Sequence, residues 1–140
     1  MVKFVKKIRG YNIKLKDLKM FAEDVLKHYG KEKENVTILL CGNRLIKKLN
    51  KEYLSKNSPT NVIAFPINEI LEDGKYLGDI AISIPYALSS VKGSEEKLEN
   101  EIKKLIIHGI LHLLGWDHEK DSGEMEKEEE KLRRLFIGKL

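Results

Sequence analysis

Cysteine, proline, tryptophan and long apolar runs are all scarce in this sequence. Its 140 residues include one cysteine, three prolines and one tryptophan, and glutamine is absent. The lone Cys41 excludes an internal disulfide and favours a reducing compartment. The longest apolar run, residues 105–116, is too short to span a bilayer, and the first ten residues lack the apolar segment of a signal peptide. We therefore expect a cytoplasmic protein with neither a membrane partner nor a disulfide partner.

The two halves of the chain carry opposite charge. Residues 1–68 contain 15 Lys and Arg against 6 Asp and Glu, whereas residues 69–140 contain 11 against 16. A basic first half suggests a polyanionic partner, but charge alone is explained equally well by a lysine-rich solvated surface. The length suits one domain with its own hydrophobic core, so we expect a single domain over residues 1–140.

Apolar periodicity and turn-forming residues predict the order β-α-β-α-β-β-α-α. Strands are predicted at about 2–8, 35–41, 61–67 and 76–84, with turns at 55–60 and 72–74. Helices are predicted at about 15–29, from Asn43, briefly after Pro85, at 94–114 with Gly115 as the stop, and at about 121–137. In the last helix, Met125, Leu132, Leu135 and Phe136 form the apolar side, and the run EKEEEK is interpreted as a solvated face. This pattern predicts an α+β fold, with a small mixed β-sheet covered by helices.

Three of the four histidines lie in one short segment, HGILHLLGWDH at residues 108–118. His108 and His112 are four residues apart on the predicted helix, so both imidazoles point the same way. Gly115 can reverse the chain after the helix and bring His118 back over them. Three neutral imidazoles that leave one coordination position open are typical of a catalytic zinc site. We expect one zinc ion per chain at His108, His112 and His118; nickel, iron and copper are chemically possible.

The histidine spacing also matches the zinc-protease pattern H-E-x-x-H-x-x-G-x-x-H, with one difference. Gly109 stands where those proteases have the glutamate that deprotonates the metal-bound water. Glycine cannot act as a base, so a conventional metalloprotease mechanism is disfavoured. Gly109 either makes room for a substrate group or allows close helix packing, and the sequence does not decide between these.

The segment closely resembles the signature H-G-x-L-H-L-x-G-[YW]-D-H of the YbeY family, bacterial metal-dependent endoribonucleases linked to ribosomal RNA maturation. Two further segments are similar to motifs of that family and occur in the expected order. They are Leu49-Asn50-x-x-Tyr53 followed by Ser58-Pro59-Thr60-Asn61-Val62-Ile63-x-Phe65-Pro66, and Leu77-Gly78-Asp79-Ile80-Ala81-Ile82. The resemblance spans roughly residues 45–118.

This resemblance implies cleavage of single-stranded RNA, with ribosomal RNA and the small ribosomal subunit as partners. It also implies a role in processing and quality control of that subunit. The family has an arginine near the substrate after the motif tyrosine, and here that position is Leu54, which cannot bind phosphate. We expect Lys51 or Lys56 to supply the missing phosphate contact and Asn61, in the same motif, to bind substrate.

Two carboxylates are candidates for catalysis. Asp117 is nearest to the histidines in sequence. It could act as a base, but we favour a role in which it orients a ligand imidazole. Asp79 is a second candidate if its strand lines the cleft. Two other functions stay open: an RNA- or ribosome-binding processing factor whose metal is structural, and a metal-dependent hydrolase of another substrate class.

Overall fold

The computed structural model describes residues 1–58 and 60–138; Pro59, which belongs to the predicted turn and to the family motif, lies outside the described residues. The strands are β1 (Val2–Lys6), β2 (Asn35–Cys41), β3 (Val62–Leu71) and β4 (Gly74–Ser83). The helices are α1 (Leu15–His28), α2 (Asn43–Leu54), α3 (Ile84–Ser90), α4 (Glu95–Leu113) and α5 (Glu124–Phe136), with a 3-10 helix at His118–Lys120.

The four strands form one mixed sheet in the order β1-β2-β4-β3. β1 pairs with β2 and β2 pairs with β4 in parallel, whereas β3 and β4 form an antiparallel hairpin. The hairpin follows from the short turn at Glu72 and Asp73, while the parallel pairs need the crossovers that α1 and the segment from α2 to β3 provide. The predicted α+β fold with a mixed sheet covered by helices is confirmed.

Helices cover both faces of the sheet, but unequally. Alternate side chains of the central strands, such as Ile38 and Ile80, face α1, α3, α4 and α5 in the main core. The residues between them, such as Cys41 and Ala81, face α2 around Ile46 in a smaller cluster. Because successive side chains of a strand point to opposite faces, neighbouring residues of β4 belong to different sides of the molecule.

A glycine allows α4 to approach β4 closely. A Cβ atom at Gly109 would lie 2.7 Å from Cγ2 and 2.8 Å from Cδ1 of Ile80. Ile80 is fully buried in the central strand, so it has little room to move. Close helix packing therefore accounts for Gly109, and any side chain there, including the glutamate of the zinc-protease pattern, would force Ile80 to shift.

Several predicted boundaries were wrong. β3 continues to Leu71, four residues beyond the predicted end. The prediction stopped too early because a register shift between Pro66 and Glu69 interrupts the alternation of buried and exposed side chains. Ile84 belongs to α3 and not to the preceding strand. The last helix begins at Glu124, since Gly123 with φ of 104° ends the segment that follows the 3-10 helix. On α5, Leu135 is 58% exposed, contrary to its predicted place on the apolar side.

Within the described ranges, no helix is both long enough and apolar enough to cross a membrane. Cys41 is buried and has a free thiol. Burial raises the pKa of that thiol to about 11, as expected for a cysteine that packs as a small core residue.

Candidate metal centre

Local chain geometry brings the three histidines together. Ser94 caps α4, because its hydroxyl accepts a hydrogen bond from the Lys97 amide. The helix then presents His108 and His112 on one side, with ring centroids 4.7 Å apart. The regular spacing of α4 therefore supplies two of the three imidazoles.

The third imidazole returns through a turn at Gly115. This glycine has φ of 100°, a conformation that side chains disfavour, and its amide donates to the His112 carbonyl at 3.0 Å. The Trp116 amide closes the turn on the Leu111 carbonyl, also at 3.0 Å. His118 follows in the 3-10 helix, with its ring centroid 5.0 Å from His108 and 6.0 Å from His112. The chain reversal predicted at Gly115 thus occurs.

The geometry of the cluster fits a metal ion. One ligand nitrogen from each of His108, His112 and His118 lies within 4.8 Å of the others. A tetrahedral zinc ion needs its nitrogens about 3.3 Å apart, a separation that small rotations of these rings would reach. The rings are partly exposed, at 26% for His108 and 41% for His118, so an ion and a further ligand have access.

A buried glutamate on α5 completes the cluster. Oε1 of Glu129 lies 2.7 Å from Nδ1 of His108 and 3.1 Å from Nε2 of His118. Its Oε2 accepts a hydrogen bond from Nη2 of Arg133 at 2.9 Å. When the carboxylate accepts a hydrogen bond from Nδ1 of His108, the opposite nitrogen Nε2 stays free to bind an ion. The same hydrogen bond fixes the orientation of the ring.

Glu129 was not predicted as a site residue, because the whole glutamate run was interpreted as a solvated face. Glu129 is only 4% exposed, whereas Glu130 next to it forms an exposed pair with Arg134. A signal was present, because Glu129 falls four residues after Met125 and three before Leu132, on the buried side of the helix. A carboxylate at such a position needs a partner, and the histidines provide one.

The environment favours the protonation states that a metal site needs. Burial, together with the nearby positive charges of His108 and His118, lowers the pKa of His112 and so favours the neutral imidazole. For Glu129, burial opposes ionisation. The hydrogen bond from His108 and the charges of His118 and Arg133 outweigh it and hold the pKa of the carboxyl below its usual range. A neutral His112 imidazole beside an ionised carboxylate is suited to binding a cation.

Asp117 lies in the turn that carries His118. Its Oδ1 accepts from the Glu119 amide at 3.0 Å, and its Oδ2 lies 3.9 Å from the Lys120 ammonium. Both oxygens therefore contact residues of the 3-10 helix that contains His118.

Asp79 lies on the other face of the sheet. Its neighbour Ile80 packs under Gly109 of α4, so the Asp79 side chain points toward the α2 side. There its carboxylate accepts a hydrogen bond from the hydroxyl of Tyr76. The expectation that Asp79 lines the cleft beside the histidines is corrected by this placement.

The residues expected to bind substrate are divided between the two faces. Asn61 lies beside the cluster, in a pocket of about 220 Å³ that His108 also lines. Lys51 on α2 and Lys56 after it are exposed, and α2 covers the opposite face. Leu54 lines a groove of about 710 Å³ on that opposite face, together with Tyr53 and Asp79. The structure thus brings Asn61, but not Leu54, next to the histidines.

Comparisons with known proteins agree with this architecture. A family model described as endoribonuclease YbeY matches residues 4–136. The endoribonuclease YbeY of Aquifex aeolicus (strain VF5) is 36% identical over 134 residues, which cover 96% of this chain and 89% of the relative. That of Pelagibacter ubique (strain HTCC1062) is 39% identical over 137 residues, covering 91% and 90%.

A solved structure is also similar over nearly the whole chain. The solution structure of TM1509 from Thermotoga maritima superimposes with a TM-score of 0.65 at 27% identity, covering 99% of this chain and 90% of that one. Since the family model and these relatives span most of the sequence, and the histidine cluster lies within the matched residues, the chain belongs to the YbeY endoribonuclease family.

Proposed function

We propose that this protein is a metal-dependent endoribonuclease that cleaves single-stranded RNA. The observation that carries the proposal is the partly exposed cluster of three imidazoles, backed by a buried carboxylate and adjoining an open pocket. Such an arrangement offers an ion three nitrogens and leaves room for a ligand from solution. The substrate class follows from the name shared by its relatives, endoribonuclease YbeY.

Zinc is the proposed metal, with one ion per chain. His108, His112 and His118 would hold it, and all-nitrogen ligation suits zinc first among the common transition metals. When bound, zinc supplies Lewis acidity for phosphodiester hydrolysis. Glu129 would orient the rings of His108 and His118, and Asp117 would hold the turn on which His118 lies. Asn61 is the proposed substrate contact closest to the cluster.

The biological substrate that we propose is ribosomal RNA of the small subunit, in its maturation and quality control in the cytoplasm. The basic first half of the chain supports a polyanionic partner. Lys51 and Lys56 would contribute to RNA binding as part of that surface.

A second candidate function is supported by Leu54. Because this leucine stands where the family has an arginine, the protein could bind RNA or the ribosome with a structural metal and little turnover. A protease function is disfavoured because Gly109, packed against Ile80, stands where those proteases have their glutamate base.

The experiment that separates these functions measures cleavage of a labelled single-stranded RNA by zinc-loaded protein. We expect wild type to cleave, and His112→Ala to lose both zinc and cleavage. His28→Ala is the matched control, because His28 is the fourth histidine, is exposed and lies on α1. It should retain zinc and cleavage.

Equal cleavage by wild type and His112→Ala would reveal a contaminating ribonuclease. Absence of cleavage by zinc-containing wild type that still binds RNA would favour the RNA-binding factor. Zinc retained at full stoichiometry in His112→Ala would refute the three-histidine site itself.

A further inference from the structure

The pocket beside the histidines has a polar lining drawn from three elements. Asn61 precedes β3, Lys104 and His108 lie on α4, and Arg133 lies on α5; the carboxylates of Glu101 and Glu129 also line it. Its volume of about 220 Å³ is several times the share of one water molecule in the liquid, about 30 Å³. The pocket therefore has room for a small charged group next to His108.

Arg133 is held at this pocket with most of its hydrogen-bonding capacity unused. Nη2 donates to Oε2 of Glu129 at 2.9 Å; Nε has no acceptor among residues 1–58 and 60–138, but it is buried and does not face the open pocket. The side chain is 33% exposed. A guanidinium has five N–H donors in a planar fork that matches the oxygens of a phosphate. Because Glu129 bonds Arg133 with one oxygen and His108 with the other, it fixes the guanidinium beside the imidazole.

The net charge of the pocket depends on whether the ion is bound. Lys104 lies 3.9 Å from Glu101, and Arg133 is paired with Glu129, so the two cations and two carboxylates balance. A divalent cation at the adjacent histidines would leave the region positive. The balanced charges of the metal-free protein would give an anion little net attraction, whereas the zinc-loaded protein would attract one.

We propose that this pocket binds a phosphodiester group of the RNA next to the ion, with Arg133 and Asn61 as hydrogen-bond donors and Lys104 as a further charge. The inference rests on the proposed nuclease function and names the part of the chain that contacts the reacting region of its substrate. It adds a phosphate contact on the histidine side of the sheet to the one expected from Lys51 or Lys56. Arg133 lies on the same side of the sheet as the histidines, whereas Leu54 lies on the other.

The test compares Arg133→Gln with Arg134→Gln. Arg134 is adjacent on α5 and pairs with Glu130 at the same four-residue spacing as Arg133 with Glu129, but that pair is exposed. Zinc-loaded proteins are assayed for kcat/KM on a labelled single-stranded RNA between about 50 and 200 mM salt. Zinc affinity is measured separately by competition with a chromophoric chelator, and folding by thermal unfolding.

We expect Arg133→Gln to lower kcat/KM roughly 10- to 100-fold, the usual effect of losing a charge-assisted hydrogen bond. The slope of log kcat/KM against log salt should become shallower by about 0.7, corresponding to one phosphate contact fewer on a single strand. Arg133→Lys should recover part of the rate and the whole slope, because it keeps the charge without the planar fork. Arg134→Gln should match wild type in all three measurements.

The proposal is overturned if Arg133→Gln and Arg134→Gln cleave alike with the same salt slope. It is also overturned if the rate lost by Arg133→Gln is explained by lost zinc, since Arg133 would then act only through Glu129. Failure of the nuclease function gives a different result, in which zinc-loaded wild type and Arg134→Gln do not cleave at all. That outcome would remove both proposals.

Discussion

Glu129→Gln should weaken zinc binding without removing the three histidines. The carboxylate uses both of its oxygens, one toward His108 and His118 and the other toward Arg133. Glutamine keeps one acceptor oxygen and replaces the other by an NH₂ group, which must then face either an imidazole N–H or the guanidinium. One donor at a side chain that is only 5% exposed therefore loses its acceptor.

The expected magnitude follows from the orienting role of the carboxylate. Loss of a carboxylate that orients a metal-binding histidine typically weakens metal affinity about 10- to 100-fold. We therefore expect the zinc Kd of Glu129→Gln to rise by one to two orders of magnitude.

The assay is competition for zinc against a chromophoric chelator, with Glu130→Gln as the control. Glu130 lies on the same helix and pairs with Arg134, but both side chains are exposed, at 57% and 78%. Its replacement should leave the zinc Kd unchanged. Equal zinc affinity of the two variants would refute the orienting role of Glu129, and complete loss of zinc from Glu129→Gln would make Glu129 a ligand.

Two further predictions concern the packing of the sheet. Gly109→Ala should lower Tm by several degrees, because overpacking against Ile80 costs about 1–3 kcal/mol and outweighs the helix-propensity gain of about 1 kcal/mol. On an Ile80→Ala background the same change should become neutral or stabilising in thermal unfolding, and an undiminished loss there would contradict the packing explanation. Cys41 should resist a thiol reagent at pH 8 in the folded protein, because a pKa of about 11 leaves about one thiolate in a thousand. It should react fully in denaturant, and rapid reaction in the native state would show that β2 is accessible.

Local signals were sufficient to predict most of the fold. β2 matched its predicted bounds because it is short, apolar and flanked by turn-forming residues. The end of β3 could not be predicted, since Ile67 and Ile70 are exposed and a register shift breaks the alternation on which the prediction depended. Periodicity is informative only where one side of an element is buried.

The site was predictable where its residues are close in sequence. His108, His112 and His118 lie on one helix and the turn that follows it, so their spacing in the sequence was enough to predict that the three imidazoles meet. Glu129 depends on how α5 packs against α4, which is a tertiary property. Asp79 was misplaced for the same reason, because the face of β4 that meets α4 is decided by the contact between Gly109 and Ile80.

The contact from α5 to the histidines has a consequence for local unfolding. α4 lies in the main core, and α5 is anchored there by Met125 and Leu132; the segment after Gly115 also reaches the cluster through His118 and Glu129. A bound ion would stabilise only those states in which its ligands stay together, so its binding free energy would oppose openings that separate the 3-10 helix from α4. It would also oppose undocking of α5, to the extent that Glu129 strengthens binding. Amide protons of residues 116–136 would then exchange more slowly in the zinc-loaded protein, while the β1–β2 side would exchange at an unchanged rate. Ion binding would thereby couple the unfolding of residues 116–136 more closely to that of the rest of the protein.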